Sequence, residues 1–425
     1  MKKPSNVKEL CEYIWELEDK YNLLDFEING VKPWQAHRIE IYYELGKHFG
    51  VFEKHYSRGM SKIEKIKSLN SLIKNSILHS PLSNLKKVDY LIFSHPRSKI
   101  VDNESIDIYS HYFIQDLIKE NKNFFEFEGP FEGKHIREFE NYKKYLDYIM
   151  LYRNLYAKFM SLNLSNEQYK IIKNIIKETG FNNLENILIE RTKKFIPTYK
   201  IYKKILEKIK PEEIYVVVSY GRAELIKAAK DLGIKTIEFQ HGTFSKYHLG
   251  YSYPNYNKEL DYFPNEFWVW NDYWKNLIKF PKNSEIKIYP FRYLEEEKRK
   301  YDKISKIKNQ LVVLGQGGVT DRMAKKILDN IGFFKKFKII FKLHPEEYSK
   351  WNEYKNLKKL QDELNIEIVE NIDLYKLLAK SESQAGVFST ALYEGVEFGC
   401  KTILFNLPGI EYMDKFIEMY EVKVL

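Results

Sequence analysis

Residues 213–239 hold the pattern that most narrows the folds open to this chain. Glu213-Ile-Tyr-Val-Val-Val-Ser219 is an apolar, β-branched run of the kind a strand buried on both faces requires. The turn Ser219-Tyr220-Gly221-Arg222 leads into a helical stretch over 223–232, Gly233 ends it, and Lys235-Thr-Ile-Glu-Phe239 starts a second strand. A strand, a helix and a strand in so short a span imply parallel pairing through a right-handed crossover. The rhythm recurs later, with apolar runs at 311–314, 338–343, 366–369, 384–388 and 402–405 and helical stretches at 321–331, 372–380 and 390–398. Two such series imply an α/β chain with two Rossmann-like domains facing each other across a cleft.

The remaining segments fit around that frame. Residues 1–85 read as a helical segment, with apolar spacing over 7–21, 33–49 and 63–79, and are expected to cap the first domain. Residues 88–94 read as a strand ending at His95-Pro96-Arg97, and 105–109 as a hairpin or edge strand. Helices are expected over 141–163, 166–178 and 185–209, and short strands over 267–270 and 285–289. The charged stretch 294–308 shows no core pattern and reads as the connection. The expected domains are then 86–295 and 305–425, a division natural for a chain of 425 residues.

Composition removes several function classes. No apolar stretch approaches the ~20 residues of a bilayer-spanning helix, and Met1-Lys-Lys-Pro-Ser-Asn leads into charged sequence, not an apolar signal core. A cytoplasmic protein is expected. Two cysteines, Cys11 and Cys400, exclude a disulfide scaffold or a zinc cluster. The net charge of +10 comes from 69 Lys+Arg against 59 Asp+Glu, much of it in lysine runs at 62–74 and 193–210. Such runs are mostly solvated helix faces; their other use is attraction to anionic head groups or a charged glycan, hence an expectation of peripheral association with the inner face of the cell membrane. No arginine-rich groove or helix-turn-helix pattern points to nucleic acid.

Candidate chemistry sits where strands end. In the second series Gly315-Gln316-Gly317-Gly318, Lys342-Leu343-His344-Pro345-Glu346 and Ser389-Thr390 each follow an apolar run. Glycines let a backbone approach a phosphate closely, but they also serve tight turns. His344 projects where it can donate to a phosphate oxygen, though a strand-end histidine is often structural. Ser389 and Thr390 open a helix, where hydroxyls and free amides hold phosphate or simply cap. Glu394 follows Thr390 by four residues, on the same helix face, and suits the hydroxyls of a ribose. Three such features at consecutive strand ends outweigh their separate structural uses. In the first domain His241, in Phe239-Gln240-His241-Gly242-Thr243, is the candidate base, with Gly242 leaving room beside the imidazole and His248 on the same loop. His95 and Arg97 are candidate acceptor contacts, and Asp107 is the carboxylate alternative for the base.

These motifs resemble those of GT-B-fold transferases of surface polysaccharides. Gln240-His241-Gly242-Thr243 is similar to the Trp-His-Gly-Thr turn of CDP-glycerol glycerophosphotransferases, whose histidine is the base. Lys342-Leu343-His344-Pro345 and Ser389-Thr390 look like the HP and S motifs of bacterial GT-B sialyltransferases and polysialyltransferases, and the set as a whole resembles capsule-type glycosyltransferases. The sialyltransferases' acidic motif of the first domain has no counterpart here, and Glu394 stands where glycerophosphotransferases usually carry aspartate. GT-B enzymes often return a final helix to the first domain; after a helix expected over 411–420 only 421–425 follow, so that return is abbreviated or cut short.

The resemblance implies a glycosyltransferase moving a sugar from a CMP-, UDP- or GDP-linked donor, a CMP-linked nonulosonate-type sugar among them, to a glycan or glycolipid acceptor. No Asp-x-Asp triplet lies between the strands, so no metal or cofactor beyond the donor is expected. Gly315 to Gly318, Lys342, His344, Pro345, Glu346, Ser389, Thr390 and Glu394 would hold the donor, His344 also acting on its leaving phosphate. His241 would be the base, and His95, Arg97, Gly242 and His248 would face the acceptor. The other readings are a CDP-glycerol- or ribitol-type polyol-phosphate transferase and a glycan-binding scaffold without catalysis.

Overall fold

The apolar runs pair as two separate parallel sheets. The computed structural model describes residues 2–52, 62–96, 98–101, 103–131 and 133–425, so Arg97 lies outside the described residues. The first half contributes β1 Tyr90–Phe93, β2 Lys99–Val101, β3 Glu104–Ile106, β4 Phe124–Glu128, β5 Lys143–Tyr145, β6 Glu213–Val217, β7 Lys235–Phe239, β8 Glu266–Val269 and β9 Glu285–Ile288. Seven of these form a sheet in the order β5-β4-β1-β6-β7-β8-β9, with every pairing parallel, while β2 and β3 make a separate antiparallel hairpin. The second half contributes β10 Ile307–Leu314, β11 Lys338–Lys342, β12 Glu367–Val369, β13 Ser381–Gly386, β14 Lys401–Leu404 and β15 Val422–Val424. They order as β12-β11-β10-β13-β14-β15, again all parallel.

Each sheet reverses its winding once. In the first, the chain leaves β1 toward β4 and β5, then resumes on the other side of β1 with β6; in the second it runs from β10 to β12, then resumes beside β10 with β13. In sheets of this kind the loops diverge at the carboxyl ends of such a strand pair and leave a crevice there. This is the GT-B architecture, two Rossmann-like domains across a cleft with a helical N-terminal segment. That segment, with helices Val7–Tyr21, Pro33–Ala36 and Arg38–Phe49, buries Leu10, Ile14, Leu17 and Ile41 against Ile172, Leu184 and Leu188 of the first domain. Across the cleft one apolar cluster joins Phe244, Tyr251 and Trp274 to Leu392, Tyr393 and Phe416, with Trp274 and Tyr393 rings 4.6 Å apart.

Four expectations need correction. Residues 143–145 are strand β5, so the helix expected over 141–163 is Asp147–Phe159. β4 was not expected at all: its sequence Phe-Phe-Glu-Phe-Glu buries Glu126 and Glu128, which Arg137 and His135 neutralise from elsewhere in the chain. The charged stretch 294–308 is not all irregular connection; its first part belongs to the helix Arg292–Tyr301, which buries Tyr293 and Glu297, and its last two residues belong to β10. The expected helix over 411–420 is a 3-10 turn, Ile410–Met413, and a short helix, Asp414–Met419, after which β15 extends the second sheet.

Candidate functional site

The crevice at β10/β13 opens into a cavity of about 750 Å³ between the two domains. Gly315 follows β10, Lys342 ends β11 with His344 and Pro345 just beyond it, and Ser389, Thr390 and Glu394 follow β13; all line it. From the first domain come His95, after β1, and Lys99, on the β2–β3 hairpin. A volume between about 300 and 1,000 Å³ is usual for a small-molecule site.

The second-domain side chains are held so that donors face the cavity. His344 caps the 3-10 turn Pro345–Glu347, its Nδ1 accepting from the Glu346 N–H at 3.4 Å while its backbone N–H donates to Glu347 Oε2 at 3.0 Å. With the Nδ1 lone pair so engaged, a neutral His344 carries its proton on Nε2 and presents a donor. Ser389 caps the helix Thr390–Glu397, its Oγ accepting from the Ala391 N–H at 3.2 Å, and its hydroxyl proton remains available to donate. Thr390 Oγ1 accepts from the Thr243 N–H at 3.3 Å, so the His241-Gly242-Thr243 turn abuts the start of that helix. Partial positive charge at a helix start adds to that of Lys342.

Deeper in, burial pushes the Glu394 carboxyl up, against the opposing influence of Lys99 and of Tyr375. The Lys99 ammonium lies 5.2 Å from the centre of the Tyr375 ring and 5.3 Å from that of Tyr293. Tyr375 Oη is buried without a well-formed hydrogen bond. A buried carboxyl and a buried hydroxyl with the ammonium of the exposed Lys99 beside them suit a polyhydroxylated ligand, each able to take or give a hydrogen bond.

His241 does not itself line this cavity; it lies behind His95 and Tyr109, which do. Its ring packs beside those of His95 and Tyr109, centroids 6.4 and 6.3 Å away, and a fifth of its side chain is exposed. Nδ1 lies 3.3 Å from Tyr251 Oη and Nε2 3.3 Å from Tyr220 Oη. Burial holds its pKa down to about 3, with His248 and His95 adding repulsion, so the imidazole is neutral at physiological pH.

Several expected site residues are placed otherwise. Asp107 is spent on its own turn, accepting from the N–H groups of His95 (2.8 Å) and Tyr109 (3.1 Å) and the Ser110 hydroxyl (2.6 Å); it positions His95 and does not face the cavity. Gln316 clamps the two loops together through Phe388, its Oε1 accepting from the Phe388 N–H at 2.9 Å and its amide donating to the Phe388 carbonyl. Gly315 to Gly318 is not one wall. Gly318 has φ +87° and turns the chain away, so Gly317 and Gly318 line a second cavity of about 360 Å³ together with His248. Gly315 is needed for packing, since a Cβ there would meet the Lys342 carbonyl at 2.9 Å. Glu346 is largely exposed at 73% and does not line the cavity. Gly242 faces Thr390, whose Oγ1 would lie 3.4 Å from an added Cβ. Lys99 and Tyr375 were missed, because neither stands at a strand end in a recognisable motif.

No family model and no curated protein sequence matches the chain. Among solved structures it is similar to the UDP-GlcNAc 2-epimerase from Methanocaldococcus jannaschii, with 13% identity, 80% of this chain and 88% of that one covered, and a TM-score of 0.45. It is also similar to the UDP-GlcNAc 2-epimerase from Neisseria meningitidis bound to UDP-GlcNAc, at 14% identity, 79% and 86% coverage and TM-score 0.42. A UGT transferase from Siraitia grosvenorii in complex with UDP shows 9% identity, 80% and 85% coverage and TM-score 0.41. Likenesses this distant carry no assignment of activity.

Proposed function

We propose that the chain is a glycosyltransferase that moves a sugar from a nucleotide donor to a cell-surface glycan or glycolipid. The observation that supports this best is the single cavity gathering Lys342, His344, Ser389, Thr390 and Glu394 opposite His95 and Lys99. In this reading Lys342, His344 Nε2 and the hydroxyls of Ser389 and Thr390 hold the donor phosphate and stabilise charge as it leaves. Glu394, with Tyr375 beside it, takes the ribose hydroxyls. His241 takes the proton of the acceptor hydroxyl as its oxygen bonds to the donor's reacting carbon and the electron pair departs with the nucleotide. Calorimetric titration with CMP, CDP, UDP and GDP is the test; binding of none would leave a scaffold. The mass of the product made with the preferred donor separates sugar transfer from polyol-phosphate transfer. His344→Ala should weaken the bound nucleotide about ten- to a hundredfold, the worth of one hydrogen bond to a charged group. Unchanged affinity would remove His344 from the site.

A membrane-linked acceptor also fits the surface formed by helices Lys62–Leu78 and Asp147–Phe159, which pack together. Ile73, Ile77, Leu155 and Phe159 stand exposed there at 45, 72, 60 and 82%, among exposed Lys67, Lys74 and Lys158. The protein is expected to float with vesicles containing anionic lipid and not with neutral ones, and Ile77→Glu with Phe159→Glu should abolish flotation. Equal flotation of the double variant would count against this surface.

A further inference from the structure

Behind His241 lies a buried chain of polar groups that the site so far does not use. Glu238, in the middle of β7, is fully buried, and Tyr251 donates its hydroxyl to Glu238 Oε1 at 2.5 Å. The same Tyr251 oxygen lies 3.3 Å from His241 Nδ1, while Glu238 itself is 4.0 Å from that nitrogen, beyond direct hydrogen-bond reach. On the other side of the imidazole, Tyr220 Oη meets Nε2 at 3.3 Å. Tyr220 belongs to the 3-10 turn Ser219–Gly221, entered through Val218 at φ +65°, a strained setting for a β-branched residue. Such strain persists only where surrounding structure enforces it.

The direction of the chain follows from counting protons. Tyr251 has one hydroxyl proton, and with Glu238 ionised that proton is committed to the carboxylate. Tyr251 can then only accept from the imidazole, so Nδ1 carries the imidazole proton and Nε2 keeps its lone pair. With Glu238 protonated, the carboxyl donates to Tyr251, Tyr251 donates to Nδ1, and the imidazole proton, exchanged through solvent, resides on Nε2. One proton is gained in all, at Glu238. We infer that Glu238 and Tyr251 are positioning residues for His241, and that only the ionised Glu238 leaves Nε2 able to accept a proton. The consequence for turnover rests on the proposed transferase reading; the tautomer itself does not.

Burial pushes Glu238 up to about 7, against the opposing influence of Ser219 and then of Tyr251, so the change of tautomer falls near neutral pH. The titratable groups facing Glu238 are His241, Tyr220, Tyr251 and Tyr253, and those facing His241 are Glu238, His95, His248, Tyr109, Tyr220 and Tyr251. Burial pushes Tyr220, Tyr251 and Tyr253 up, so they stay neutral in this range, and His248 is held by burial at about 4. His241 itself, held at about 3, does not ionise in the window. The low-pH limb of turnover therefore belongs to a carboxylic acid one residue removed from the base.

The test is long-range 1H–15N correlation on protein labelled in its 10 histidines, with His241 identified by its loss in His241→Asn. At about pH 8.5 the neutral imidazole should show Nδ1–H, and at about pH 5.5 neutral Nε2–H, with a midpoint near the Glu238 value. Glu238→Gln and Tyr251→Phe, both nearly isosteric, should each abolish the pH-dependent change. One tautomer at both pH values, or an ordinary imidazolium at the lower, overturns the inference. Wild-type turnover should fall through the same midpoint, and Glu238→Gln should flatten that limb with donor KM within about twofold. A tautomer change that turnover ignores would leave the relay standing and sink His241 as base.

Discussion

Replacing His241 with asparagine should lower kcat by about 10²- to 10⁴-fold, the usual contribution of a positioned general base. Donor affinity should change little, since the groups proposed to hold the nucleotide come from the ends of β10, β11 and β13 and none of them hydrogen-bonds the imidazole. The imidazole suits the role because burial keeps it neutral, and an acceptor hydroxyl reaching Nε2 need displace only the 3.3 Å contact with Tyr220. Steady-state kinetics with donor and acceptor varied separately would show the loss in kcat, with added imidazole restoring part of it. Near-wild-type turnover in His241→Asn would end its assignment as base. A parallel loss of donor affinity would instead make it part of the donor site.

How far the sequence disclosed this site depends on how local each signal is. His344, Ser389, Thr390 and Glu394 were legible because each lies within a few residues of a strand end, and the parallel topology carries all the strand ends of one sheet to the same edge. Asp107, the carboxylate alternative within the expected strand 105–109, had no such strand-end signal; the N–H groups of residues 95 and 109 consume its carboxylate, and only the turn's geometry reveals that. Lys99 and Tyr375 join one patch across 276 positions of sequence (375 − 99), which no local pattern reports. Gly315 to Gly318 looked like one phosphate wall because glycine spacing says nothing of where a left-handed residue turns the chain. β4 was invisible because its acids are neutralised by Arg137 and His135, residues beyond the strand. Glu238 left only a faint trace, an acid between Ile237 and Phe239 of a parallel strand that also holds Lys235 and Thr236, and it was not among the candidates.

Removing Arg38 should destabilise the fold by about 3–5 kcal/mol. Its guanidinium, 2% exposed, meets Glu18 at 2.6 and 2.8 Å and the carbonyls of Leu249 and Ser252 at 2.6 Å each, and it lies 4.1 Å from the centre of the Tyr253 ring. Arg38→Met would leave the Glu18 carboxylate buried with the Trp34 indole N–H as its remaining donor, and two carbonyls unmet. Such a pair is costly to halve but not to replace, because much of its favourable contact only offsets desolvation. Glu18→Leu with Arg38→Met should therefore recover more than half of the loss, read as denaturation midpoint. The two carbonyls flank Tyr251, so the helical segment also fixes the loop that holds His241 through its Nδ1 contact. In the double variant, stability should return further than kcat does, since the apolar pair restores packing but no longer tethers residues 249 and 252. Full recovery of both would show that the loop holds its shape without the helical segment.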